Sequence, residues 1–281
     1  MPRTQTTAPA PTVTASPPAT FEAARAMRTV RHLAGRIGPR LATGPAFREA
    51  AEWVADALRE RGYDVRRQSF DVPAGDSWGV PVAAGRSTNV IATPADFDPD
   101  APYVLVGAHL DTVAVAPGAE DNASGVAVLL ELGRVLGGTG QVVLVAFGGE
   151  EPRGPGDLHH FGSTAYVAAM SPAERRHLSG MVAMDRVGVG AVVPLSSVAG
   201  TPTATRDRLA RIGDGLAVPT LVETDAASDH ESFADAGLPA ARIGSTPYAG
   251  YHSAADVPAV VSPAQLRRVG ELVTAWARRA S

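Results

Sequence analysis

Apolar residues recur at two periods along this 281-residue chain, and the switches between the periods mark its elements. Between Phe21 and Ile37, the residues Ala24, Met27, Val30, Leu33 and Ala34 fall on one stripe, which predicts a helix. Phe47 to Arg61 repeats the spacing through Phe47, Ala51, Val54 and Leu58, and Gly62 stands where helices commonly end in left-handed backbone. Asp64 to Phe70 and Thr88 to Ala92 predict strands. Short apolar runs follow at Tyr103–Gly107, Gln141–Phe147, Gly180–Met184 and Pro239–Ile243, each suited to a strand buried on both faces. Val126 to Leu136 is almost wholly apolar and predicts a central helix. Gly137-Gly138-Thr139-Gly140 then serves as a helix stop, since it joins helix to strand and has the wrong polarity for a phosphate cradle. Ser262-Pro263 opens a last helix, Ala264 to Arg279. Strands alternating with helices predict an α/β fold with a mostly parallel sheet covered on both faces.

Composition narrows the function classes. Hydrophobic residues make up 45% and charged residues 19%, enough apolar material for a large core in one domain or a tight pair. A net charge of −4 argues against a nucleic-acid partner, because no basic excess exists to neutralise phosphates. All 25 basic residues are Arg. The absence of Cys excludes disulfides and thiolate metal sites. No apolar run reaches the roughly 20 residues of a membrane span. Met1 to Ala19, rich in Thr, Pro and Ala, predicts a disordered tail. It lacks the basic-then-apolar pattern of a signal peptide, so it reads either as a segment that once followed one or as a cytosolic start. Neither a G-x-S-x-G elbow, a Walker loop nor a dinucleotide fingerprint is present.

The candidate chemistry lies in five residues spread along the chain: His109, Asp121, Glu151, Asp185 and His252, with Glu150 beside one of them. Four of these motifs fall directly beyond predicted strands, where ligands of such sheets collect. In His109-Leu110-Asp111, alternate residues of a strand share a side, so Asp111 is expected to accept the second ring N–H of His109. A surface His beside a turn-forming Asp fits the same tripeptide. Asp121 sits in Gly118-Ala119-Glu120-Asp121-Asn122-Ala123-Ser124-Gly125, where helix capping by Asp121 or Asn122 is the plainer alternative to metal binding. Glu150 and Glu151 follow a buried strand, and neighbouring carboxylates there repel unless a cation joins them. Asp185 has Arg186 as a simple ion-pair partner, and His252 fits an exposed loop. His159 and His160, in the Gly/Pro-rich loop from Pro152 to Gly162, are expected to face solvent or line a pocket rim. Ser228-Asp229-His230 either fixes a loop or caps a short helix through Phe233. Two His and three carboxylates suit two zinc ions sharing one bridging carboxylate, leaving Glu150 as a base.

The ordered set H-L-D, G-A-E-D-N-A-S-G, G-E-E, M-D, S-D-H-x-x-F and Y-H-S resembles the zinc aminopeptidases of peptidase family M28 from about Phe21 to Ala280. The resemblance implies a single α/β domain over residues 20–281 with a central mixed eight-stranded sheet. It implies two Zn2+ ions, one on His109, Asp121 and Asp185, the other on Asp121, Glu151 and His252. Glu150 then matches a general base acting on a water between the metals, Tyr251 an oxyanion stabiliser, and Asp111 the residue beside the first ligand. A cis peptide between Asp121 and Asn122 is implied too, with a peptide of free N-terminus as substrate, a monomeric state and an extracellular setting. The amino group is expected to meet Glu150 and the open side of Asp185. The long Pro152–Gly162 loop and Ala227, where some relatives carry Arg, depart from the pattern. Three alternatives stand beside this one: an M20-like deacylase or carboxypeptidase, a glutaminyl-cyclase-like enzyme with fewer metals, and an inactive peptidase-fold binding protein. The first usually inserts a lid domain for which Asp185 to His252 leaves no space. The last would be expected to lose ligands, and none is lost here.

Overall fold

The four continuous apolar runs pair with one another at the middle of one sheet. The structure, a computed structural model, describes residues 19–279 apart from 157 and 245, so nearly all of the expected Thr/Pro/Ala-rich tail lies outside the described residues. The strands are β1 (Tyr63–Val72), β2 (Gly75–Ser77), β3 (Val80–Val82), β4 (Gly85–Pro94), β5 (Tyr103–His109), β6 (Val142–Phe147), β7 (Leu178–Met184), β8 (Val193–Ser197), β9 (Thr220–Thr224) and β10 (Ala240–Ile243). The helices are α1 (Ala23–Val30), α2 (Pro45–Arg59), α3 (Ser124–Leu136), α4 (Phe161–Ala169), α5 (Pro172–His177), α6 (Ala204–Leu216), α7 (His230–Asp235) and α8 (Pro263–Arg278). Eight strands form a mixed sheet in the order β1-β4-β6-β5-β7-β10-β8-β9, while β2 and β3 make a separate hairpin. The central strands β6, β5, β7 and β10 run parallel, and β4 and β8 flank them antiparallel.

Parallel strands covered on both faces lose the in–out alternation of polarity but keep the alternation of neighbours. Along β5, Val104, Val106 and Ala108 enter the larger core with α1, α2, α3, α6 and α8, whereas Tyr103 and Leu105 enter a second core with Tyr166 of α4 and Phe233 of α7. Gly107 leaves room for the Phe147 ring, since a Cβ there would lie 2.4 Å from it. Helix α3 is buried without a break from Ser124 to Gly133, which accounts for its nearly unbroken apolar sequence. The expected first helix is divided into α1 and a wider π-helical segment, Arg31–Ile37, which Gly38 closes in left-handed backbone.

The elements that the apolar pattern did not predict are the hairpin β2–β3, β8, β9 and α4 to α6. β8 carries a proline and two serines in five residues, a composition that reads as a turn, yet it is fully buried. β9 is an edge strand with mostly exposed side chains and gives no core signal.

Arg40 ties the helical layer to the loop that follows β5. Its buried guanidinium donates to five carbonyls: Leu110, Leu33, Gly38, Pro117 and Gly118, at 2.8–3.0 Å. Burial lowers its pKa to about 10 despite carboxylates around it. Arg40→Leu strands all five acceptors, so it is expected to destabilise the fold by about 3–5 kcal/mol, the scale for breaking a buried ionic group away from its partners. Denaturant unfolding measures this, and a loss under about 1 kcal/mol would show that water replaces the arginine.

Candidate active site

Four of the five expected ligands sit at or beyond the end of a strand. His109 is the last residue of β5, Glu150 and Glu151 follow β6 after two glycines, Asp185 directly follows β7, and His252 lies in the loop beyond β10. The parallel course of these strands puts all four ends on one edge of the sheet. Asp121 reaches the same place from the segment that opens α3. All five, and Glu150, are buried.

The carboxylate of Asp121 divides the site in two. Its Oδ1 lies 3.2 Å from His109 Nε2, which is also 3.3 Å from Asp185 Oδ1. Its Oδ2 lies 3.1 Å from His252 Nε2, which is 3.1 Å from Glu151 Oε2. Ligands at the corners of a zinc tetrahedron, with bonds of about 2.0–2.1 Å, stand about 3.3 Å apart. The histidine-to-carboxylate distances in both groups match this spacing. On the second group's side, the Glu151 Oε1 atom has no hydrogen-bond partner among the described residues although it is buried. Burial, with the charge of Asp121, pushes Glu151 up to about 8. Against burial, Glu150, Asp121 and Asp185 raise the His109 ring well above its ordinary value. A pocket of carboxylates that leans on its histidines in this way is short of positive charge, and its donor set suits divalent cations such as zinc.

The supports of these ligands are the largest gain over the sequence. The His109 ring is oriented by the backbone carbonyl of Asp111, 3.2 Å from Nδ1; the Asp111 carboxylate is 3.9 Å away. A carbonyl only accepts, so Nδ1 carries the hydrogen and Nε2 is left to bind a cation. The expected Asp111 carboxylate contact is therefore corrected. That carboxylate instead accepts the backbone N–H groups of Glu150 and Glu151, at 3.1 and 3.2 Å, and so fixes the turn that carries both. Asp256 does the same for Glu120 and Asp121, at 2.8 and 3.1 Å. The Asp121-Asn122 peptide is cis, as the resemblance implied. Asn122, rather than Asp121, supplies the cap: its Oδ1 accepts from Gly125 N–H, and its Nδ2 donates to the Met184 carbonyl. Gly125 is required there, because a Cβ would lie 2.5 Å from both of those oxygens. Buried Glu120 accepts from Gly188 and Val189, which holds the segment after Asp185.

Asp185 has a different partner from the one expected. Arg186 Nε stands 4.0 Å away, whereas Arg242 of β10 donates to Asp185 Oδ2 at 2.8 Å. Arg242 also donates to Asp225. Against the pull of burial, this arginine and His109 hold Asp185 well below the usual carboxylate range. The oxygen expected to greet a substrate amino group is thus occupied. Arg153, the other arginine close in sequence, is buried and reaches toward Thr43.

Of the histidine pair in the long loop, His159 stands as expected and His160 does not. His160 is buried, with Nε2 3.2 Å from Glu150 Oε1 and Nδ1 3.0 Å from Glu231 Oε2, whereas His159 is partly exposed at the pocket rim. Burial alone would lower the His160 pKa, but Glu150 and Glu231 carry it up to about 10. No period or motif announces this contact; the only local hint is a pair of His in a loop that closes on Gly149 and Glu150 by backbone hydrogen bonds. Asp229 is buried close by, and burial with the charge of Glu150 pushes it up to about 7. His230 turns away and meets the Asp225 carbonyl at 2.8 Å.

The cavity over these groups has a volume of about 150 Å³ and is lined by Asp121, Glu150, Asp185, Arg186, Ala227 and Tyr251 among others. Tyr251 stacks on the His252 ring with centroids 3.8 Å apart and is 39% exposed. Trp78, at the tip of the β2–β3 hairpin, meets His252 edge-on at 4.3 Å. Between Asp185 and His252 the described chain consists of β8, α6, β9, α7, β10 and their loops, all joined to the sheet and its helices, with no inserted lid. None of the described helices is long and apolar enough to cross a membrane.

Known proteins resemble this chain in sequence and fold. The aminopeptidase YwaD of Bacillus subtilis is 30% identical over 191 residues, covering 63% of this chain and 40% of that protein. The chain spans less than half the length of the first curated relatives it matches. Among solved structures, BSAP, a zinc aminopeptidase from Bacillus subtilis, superposes with a TM-score of 0.81 at 20% identity, over 92% of this chain and 95% of that one. The glutaminyl cyclase of Porphyromonas gingivalis has a TM-score of 0.78 at 23% identity, over 93% and 99% of the two chains. At these identities the likeness is one of fold. The sequence profile of peptidase family M28 matches residues 89–277, a stretch that holds every one of the candidate ligands, and the chain belongs to that family.

Proposed function

We propose that this chain is a co-catalytic dizinc aminopeptidase that removes the N-terminal residue of peptides. The observation that carries the reading is the division of Asp121: one oxygen faces His109 and Asp185, the other His252 and Glu151. His109, Asp121 and Asp185 would hold one zinc ion, and Asp121, Glu151 and His252 the other. Bound there, zinc polarises a carbonyl and makes a water molecule far more acidic than in bulk.

The remaining work falls to the chain itself. Glu150 coordinates nothing in this scheme; it takes the proton of the attacking water and returns it to the departing amine. Its position is held from two sides, by Asp111 at the backbone N–H and by His160 at Oε1. Glu231 behind His160 keeps that ring facing Glu150. The Tyr251 hydroxyl, at the mouth of the cavity, donates to the oxygen on which negative charge develops. The buried surroundings strengthen each of these interactions relative to water.

Four carboxylates around the cavity favour an ammonium group over a neutral cap. With Asp185 Oδ2 engaged by Arg242, the amino group is left to Glu150 and Glu151. A matched pair tests the reading: a dipeptide should be cleaved at least about tenfold faster than its N-acetylated form, the scale of one charge-assisted hydrogen bond. Faster turnover of the acetylated peptide would replace the aminopeptidase with a deacylase.

A further inference from the structure

One cation in the cavity has no assigned task. Arg186 follows the ligand Asp185 with φ at +55°, left-handed backbone that disfavours every residue with a bulky side chain. Its backbone N–H donates to Asn122 Oδ1, which locks that conformation. Its guanidinium lies with the central carbon 4.5 Å from the centroid of the Tyr251 ring. A guanidinium held over a ring face by cation–π attraction still has N–H donors to offer. Among the described residues this guanidinium makes no side-chain hydrogen bond, and its nearest carboxylate oxygen, on Asp185, is 4.0 Å away. The side chain is only 16% exposed, and it lines the cavity.

The other two cations at the site are engaged: Arg242 holds Asp185 and Asp225, and His160 holds Glu150 and Glu231. Arg186 is the cation whose donors face the cavity, where an anion can meet them. The cavity, at about 150 Å³, has room for about one side chain beside Arg186.

We propose that Arg186 reads a carboxylate carried within one residue of the scissile bond, so that the preferred substrates are short peptides with an acidic group at that distance. This rests on the aminopeptidase reading and specifies its substrate class. The carboxylate has three sources: the C-terminus of a dipeptide, an acidic second residue, or an acidic first residue. Planar donors on Arg match any of them in a forked pair of hydrogen bonds.

The experiment uses zinc-loaded full-length protein and three matched pairs: Leu-Gly against Leu-Gly-amide, Leu-Glu-amide against Leu-Gln-amide, and the anilides of Glu and Gln. One pair should favour the acid by about 10- to 100-fold in kcat/KM, the scale of a charge-assisted hydrogen bond, and it names the source. Arg186→Gln should bring that ratio to within about threefold, with zinc content unchanged, while Arg186→Lys keeps part of it. Ratios near one in all three pairs, or a ratio that survives Arg186→Gln, overturn the proposal. Calorimetric binding of the same pairs to Glu150→Gln protein gives a reading independent of turnover. If no peptide of either kind is cleaved, the aminopeptidase reading fails. Tighter binding of the acid that Arg186→Gln abolishes still supports the carboxylate site, and equal binding of both members overturns it.

Discussion

Glu150→Gln is expected to keep its zinc and lose about 10²–10⁴-fold in kcat, the usual scale for a missing general base. The substitution preserves shape and removes only the capacity to take a proton. Glu150 is held through its backbone N–H by Asp111 and through Oε1 by His160, so a glutamine has its position prepared. Its neighbour gives the opposite signature. Glu151 Oε2 points at His252 and Asp121 rather than at open cavity, so Glu151→Gln should weaken one zinc without displacing the base. Metal analysis beside steady-state kinetics separates the two. If Glu150→Gln lost metal and Glu151→Gln retained it, the roles assigned to these neighbours would be reversed.

Asp121→Asn is expected to have the largest effect, because it damages both halves of the site together. Wild-type protein should carry close to two zinc equivalents, removable by chelator with loss of activity. The variant should retain fewer than one and lose about 10³-fold or more in rate, since the Lewis-acid contribution amounts to several kcal/mol. Folding should survive, because the backbone of this segment is pinned by Asp256 and Asn122 rather than by the Asp121 side chain. Circular dichroism checks that, and mass spectrometry under native conditions counts the metals. A wild-type protein with one tightly bound metal and full activity would defeat the two-metal scheme and favour a cyclase-like site.

The contrast between Asp111 and His160 shows where sequence reasoning held and where it stopped. Asp111 was correctly placed beside His109 by strand geometry, but alternation along a strand gives only the side of a residue. It does not show that the carboxylate turns to the Glu150-Glu151 backbone, 39 residues on, while the carbonyl takes the ring. His160 gave no periodic signal, and a histidine in a Gly/Pro-rich loop ordinarily faces water. Its burial follows from the loop closing back on Gly149 and Glu150. Arg242 is harder still: within the apolar run of β10 it is a single polar residue, and its meaning comes wholly from Asp185 and Asp225, far away along the chain.

By itself, then, the sequence determined the α/β class, the central parallel strands, the candidate residues at their ends and the family. These are local matters. An apolar run followed by a carboxylate or an imidazole is visible in adjacent residues, and parallel strands carry such endings to a common edge. Tertiary structure alone decided which oxygen of Asp121 faces which ring, that Arg242 closes one side of Asp185, and that Arg186 stands in the cavity with its donors free. Those depend on hydrogen bonds between groups distant in the chain. Such bonds need each side chain's direction as well as its side of the strand, and direction is set only once the packed surroundings exclude the other rotamers.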